Sequence, residues 1–205
     1  MRALVYENNT VTLKKSHPDP RPDKGELLVK VRRAAVCATD LEIARGYMNF
    51  TGVMGHECVG EVVEGPANWK GKRVVAEINC VCGQCDMCRS GMSNHCLQRT
   101  VIGIDRHPGC FAELIAVPER NCHVVPDALT DDEAVFVEPL AAAYQTLHQV
   151  RVEPRMNVAV LGAGRLGLLM AQVLQATKCN LNVISRSADK LSFCDKKGIR
   201  SARVA

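Results

Sequence analysis

Cys82, Cys85 and Cys88 recur at intervals of three residues, and Cys96 follows after seven more. They lie in residues 79–109, a stretch rich in Cys and Gly with neither helical nor strand periodicity. That is too long for an ordinary loop, so something other than apolar burial has to hold it. Three thiolates at this spacing can converge on one ion, while the longer gap returns the chain for a fourth. Four soft ligands suit tetrahedral Zn2+, and a closed shell of four cysteines leaves no position for a substrate. The expectation is therefore a structural zinc, with a redox disulfide pair as the rival reading. Cys80 is out of step with the spacing and is expected to be a bystander.

The chain holds eleven cysteines, an odd number, and its first residues, Met1 to Glu7, contain no apolar run of signal-peptide length. Reduced thiols in the cytoplasm are expected, rather than a secreted disulfide framework. Hydrophobic residues at 47% and charged residues at 23% suit a chain with a real core. No run of about 18 apolar residues suggests a membrane span. The net charge of +4 arises from 26 basic and 22 acidic residues, with basic pairs such as Lys14-Lys15 and Arg32-Arg33 but no patch. With aromatics at only 4%, a nucleic-acid partner is not expected.

Residues 2–6 and 10–14 read as a hairpin, and 17–24, with three prolines, as a loop. Further strands are expected at 27–32, 60–64, 73–77 and 111–117. A short helix over 40–45 would be capped by Thr39 or Asp40. From Thr130-Asp131-Asp132-Glu133, a capping box, the texture changes. Residues 140–150 read as a helix and 158–161 as a buried parallel strand, with a helix from 162 to about 177. A strand at 180–185, a helix at 188–197 and a third strand from 201 complete a right-handed parallel α/β unit. The expected class is α/β plus β. Residues 1–139 form a β-rich domain with the cysteine lobe, and 140–205 a linking helix and the first part of a doubly wound sheet.

Gly162-Ala163-Gly164-Arg165-Leu166-Gly167 follows the first of those strands and opens a helix. This is the context in which a G-x-G-x-x-G turn binds a dinucleotide. The first glycine makes the tight turn, the second admits the pyrophosphate, and the third lets helix and strand pack closely. About 20 residues later an acid normally bonds the ribose 2′-OH of NAD. Here the chain reads Ile184-Ser185-Arg186-Ser187, with a guanidinium and hydroxyls in place of a carboxylate. Ser185 and Arg186 therefore favour the 2′-phosphate of NADP over NAD.

Three polar outliers remain: Cys37-Ala38-Thr39-Asp40, Gly55-His56-Glu57 and Glu138-Pro139. A thiolate, an imidazole and a carboxylate make an acceptable catalytic zinc shell with an open position, although spacing alone does not join them. Taken in order with the cysteine lobe and the glycine turn, these motifs resemble the zinc-dependent medium-chain alcohol dehydrogenase family. Glu138 in place of a third cysteine ligand resembles the polyol, glucose and threonine dehydrogenase branch. The resemblance implies a GroES-like domain followed by a Rossmann domain. It implies two Zn2+ per chain, the catalytic one held by Cys37, His56 and Glu138, with Glu57 either a ligand or the holder of a zinc-bound water. Thr39 would start the proton relay. Hydride would pass between a small polar alcohol, or its aldehyde or ketone, and NAD(P), in a homo-oligomer once the cofactor domain is complete. A full doubly wound domain has about six strands, whereas two and the start of a third are expected here. A catalytically silent zinc-binding module is therefore the alternative.

Overall fold

The computed structural model describes residues 1–204, which divide into two compact units, Met1–Glu138 and the residues from Pro139 onward. The sequence places this boundary one residue later. In the first unit, β1 (Ala3–Glu7) and β2 (Thr10–Lys14) form the expected hairpin, with Asn8 and Asn9 in left-handed turn conformations. β3 (Glu26–Ala35) is followed by α1 (Ala38–Ile43), the two-residue β4 (Gly52–Val53), β5 (Glu57–Glu64) and β6 (Arg73–Ala76).

Residues 79–109 contain only short pieces: β7 (Asn79–Cys80), α2 (Asp86–Arg89), β8 (Thr100–Ile102) and β9 (Arg106–His107). Then come β10 (Leu114–Pro118), β11 (Cys122–Val124), α3 (Asp131–Ala134) and α4 (Val137–Gln149), which runs across the boundary. The main sheet has the order β10-β3-β5-β6-β11, with every neighbouring pair antiparallel. Leu27, Val62, Ile102, Cys110, Ile115 and Val117 are buried within its core. Cys80 packs into that same core.

Several expectations need correction: the strand expected over 60–64 begins at Glu57, the helix expected from 162 begins at Arg165, and β4 and β11 are strands that the sequence reading does not include. The strand expected over 111–117 begins at Leu114, because Phe111 instead donates its N–H to Met54 O and packs its ring in the loop region. The helix expected over 40–45 starts two residues earlier, with Cys37 at its cap position and the Asp40 carboxylate accepting from the Cys37 N–H at 2.8 Å. The Thr130 box forms as expected: Glu133 N donates to Thr130 Oγ1 at 3.2 Å, and Thr130 N donates to Glu133 Oε2 at 2.9 Å.

The second unit contains β12 (Asn157–Leu161), α5 (Arg165–Ala176), β13 (Asn180–Ser185), α6 (Ala188–Lys196) and β14 (Ser201–Arg203). The strands pair parallel in the order β12-β13-β14. Val160, Ala171, Leu174, Val183, Leu191 and Cys194 are buried between helices and sheet. Among the described residues, no helix is long and apolar enough to cross a membrane.

Candidate active site

The antiparallel register explains how residues distant in sequence meet. Ala35 at the end of β3 pairs with Glu57 at the start of β5. Cys37, two residues beyond Ala35, therefore lies next to His56, one residue before Glu57. The ligand atoms of Cys37, His56 and Glu57 all lie within 4.8 Å of one another. α1 is held in place by Ile43, which packs with Tyr6, Phe50 and Met54. The chain before His56 is pressed inward by missing side chains. Gly55 adopts φ +92°, and a side chain there would strike the Phe111 ring; side chains at Gly103 or Gly109 would strike the Gly55 carbonyl.

Asp40, His56 and Glu57 are all buried. Asp40 Oδ1 faces His56 Nδ1 at 3.2 Å, and among the described residues neither atom has another hydrogen-bonding partner. With its proton assigned to Nδ1, His56 leaves its Nε2 lone pair available to a metal. Burial acts to lower the His56 pKa, but Asp40 and then Cys37 outweigh it, and the imidazole is raised to about 9. Cys37 Sγ and Thr39 Oγ1 lie 3.6 Å apart. Glu138 stands beside this group without joining the set within 4.8 Å. Burial raises its carboxyl to about 7; His56 pulls it down, while Glu57, Glu77 and Asp40 push it up. A thiol, an imidazole and several carboxylates gathered out of solvent form a donor set that a divalent cation fits, since buried charges require pairing or a metal. Asp40 was read from the sequence only as a cap. An acid three residues after Cys37, on the same helical turn, was the available signal.

The second cluster is Cys82, Cys85, Cys88 and Cys96, again with ligand atoms within 4.8 Å of one another. Its Sγ–Sγ separations include 4.0 Å (Cys82–Cys88), 3.9 Å (Cys85–Cys96) and 3.6 Å (Cys82–Cys96). Tetrahedral zinc with bonds of about 2.3 Å requires sulfurs about 3.8 Å apart, so the thiols fit the ion. The N–H of Cys85 and of Gln84 point at Cys82 Sγ, and that of Cys82 at Cys96 Sγ. Backbone N–H groups lower the pKa of Cys85 and of Cys96, whereas desolvation raises that of Cys88. Cys80 lies outside this cluster, and burial raises its thiol to about 11.

In the second unit, Gly162 has φ +103°, and a side chain at Gly167 would strike the Gly162 carbonyl. Gly164 sits at the cap position of α5, whose first turn, Arg165-Leu166-Gly167, is capped by no side chain and turns its N–H groups out of the helix end. Gly162 N donates to Ile184 O at 2.7 Å, tying this turn to the end of β13. There Ser185 Oγ accepts from Ser187 N at 3.3 Å, and Arg186 is exposed.

A β domain carrying two donor clusters, followed by a glycine-turn α/β unit, is the arrangement of the GroES-like-domain class of proteins. A model of the alcohol dehydrogenase GroES-like domain matches residues 23–127. L-threonine 3-dehydrogenase of Coxiella burnetii is 33% identical over 197 residues, covering 90% of this chain and 57% of that protein. The enzyme of the same name from Chelativorans sp. is 36% identical over 194 residues, covering 89% and 56%.

Among solved structures, a short chain alcohol dehydrogenase from Escherichia coli CFT073, complexed with NADH, superposes with a TM-score of 0.92 at 29% identity, covering 100% of this chain and 63% of that one. A protein assigned as a zinc-binding dehydrogenase, from Sinorhizobium meliloti 1021 and bound to NADP, superposes at 0.90 with 28% identity, covering 98% and 61%. The chain belongs to the medium-chain alcohol dehydrogenase family. It spans a little under three fifths of the length of the threonine dehydrogenases it matches.

Proposed function

We propose that the chain carries the zinc-dependent catalytic domain and the adenosine-binding half of the cofactor domain of an NADP-preferring alcohol dehydrogenase. Its substrate would be a small polar alcohol, an amino alcohol such as threonine or a polyol, or the matching carbonyl compound. The observation that carries this reading is the buried meeting of Cys37, His56 and Glu57, with Asp40 behind His56. Cys37 and His56 would hold the catalytic Zn2+, completed by Glu57 or Glu138, and the four lobe cysteines a second, structural ion. Bound zinc supplies Lewis acidity that lowers the pKa of a substrate hydroxyl.

The remaining work falls to the chain's own side chains. Asp40 fixes the ring orientation and tautomer of His56. Thr39, within reach of Cys37, accepts the hydroxyl proton and passes it outward. The glycine turn 162–167 and the N–H groups opening α5 hold the pyrophosphate, and Arg186 with Ser185 selects the 2′-phosphate.

The test is zinc content and NADP-linked oxidation of L-threonine and of a polyol panel by the purified protein, beside Thr39→Ala. Two zinc ions per chain in both proteins are expected, with turnover reduced about 100-fold or more in the variant. Unchanged turnover in Thr39→Ala, or a single zinc, would overturn the reading.

A further inference from the structure

A second guanidinium stands beside Arg186, and we propose that Arg203 is a specificity-determining residue that binds, together with Arg186, the 2′-phosphate of an adenosine ribose. The inference rests on the reading of the β13 edge as the part of the cofactor site that selects NADP. Ser185 in β13 pairs with Arg203 in β14, and Val204 N donates to Ser185 O at 3.2 Å, so the two strands end side by side. Arg203 leans back toward β13: its Nε donates to the Arg186 carbonyl at 3.3 Å. That bond uses one of five guanidinium donors and leaves four at the turn 185–187.

Both arginines are exposed, and among the described residues neither makes an ion pair. Asp189, the acid in the first turn of α6, pairs with neither. Other exposed arginines, among them Arg2, Arg33, Arg45, Arg106 and Arg151, do pair with a carboxylate. Two cations brought to one turn without an acid leave the charge that a dianionic phosphate would balance. The ribose 2′-OH of NAD, by contrast, finds no carboxylate acceptor here. Because Gly162 N is bonded to Ile184 O, the pair lies at the same edge of the sheet as the glycine turn, on the adenosine side of a dinucleotide.

Calorimetric titration with adenosine 2′,5′-bisphosphate and with 5′-AMP isolates this contact, since both probes require only the adenosine half of the site. The wild-type chain is expected to prefer the bisphosphate. Arg203→Gln should weaken bisphosphate binding about tenfold, the worth of one exposed charge-assisted contact, leaving 5′-AMP unchanged and Arg203→Lys intermediate. If the wild type fails to distinguish the probes, or binds neither, the NADP reading itself fails and the proposal with it. If discrimination is lost in Arg186→Gln but kept in Arg203→Gln, the NADP reading stands and the role of Arg203 is refuted. Equal weakening of both probes in Arg203→Gln would also refute it, marking a structural effect.

Discussion

Asp40 shows how one side chain can serve both helix and site. Its Oδ2 accepts the Cys37 N–H and starts α1, while its Oδ1 faces His56. Replacing it by Asn keeps the volume and removes the charge that orients the imidazole. Asp40→Asn is therefore expected to weaken zinc binding at the Cys37–His56 centre about tenfold, read by competition with a chelator, while the four-cysteine lobe keeps its ion. Both centres holding zinc as in the wild type would show that Asp40 acts only as a cap. The three motifs around the donors are visible in the sequence because Cys, His and carboxylates are chemically distinctive. The glycines that let them meet are not. Nothing in the local sequence marks Gly103 and Gly109 as the surface on which the Gly55 carbonyl rests, because that requirement comes from two distant chain segments.

At the scale of elements, the short helix α3 is held by more than its capping box. Asp131 Oδ1 accepts from Arg73 Nη1 at 2.8 Å and its Oδ2 from Arg32 Nε at 2.8 Å, linking the helix to β6 and β3. Arg73 also donates to the carbonyls of Pro126 and Leu129. The hydrogen bond from Arg73, aided by Arg32, holds the Asp131 carboxyl below the usual aspartate range. A carboxyl whose pKa is depressed on folding stabilises above its unfolded value, and that stability is lost as the pH falls through its folded value. Thermal unfolding is thus expected to show stability falling below about pH 4, with Asp131→Asn flattening that slope and costing about 1 kcal/mol at neutral pH. An acid limb as steep in the variant as in the wild type would assign the dependence to other carboxylates. The sequence shows the capping box, because it is local; the arginines lie 58 and 99 residues away, and their pairing with Asp131 is set by the sheet.

Across the whole molecule, the two units are stabilised differently. The second has the alternating strand and helix pattern whose apolar faces bury one another. In the first, the region 79–109 has little regular structure and lends only a few side chains, Cys80 and Ile102 among them, to the apolar core, while Cys82, Cys85, Cys88 and Cys96 are gathered together. Removing zinc with a strong chelator, or Cys82→Ser, is expected to raise amide exchange through residues 82–96 and to cost the first unit several kcal/mol. β12 to β14 contribute no ligand and should retain their protection. Full protection of the lobe without metal would return the disulfide reading of these thiols.

The sequence by itself determined the hairpin, the alternating strands and helices after residue 157, the cysteine, histidine and carboxylate motifs, the glycine turn and the presence of Arg186 after β13, because each depends on residue chemistry within a short window. The tertiary structure alone decided which donors meet, since the pairing of Ala35 with Glu57 is a long-range property of the sheet. It also decided that Glu57 closes the 4.8 Å donor set while Glu138 stands beside it, and that Arg203 reaches Arg186. These are matters of register and of where a strand ends, and chain connectivity brings such groups together only after the packing has closed.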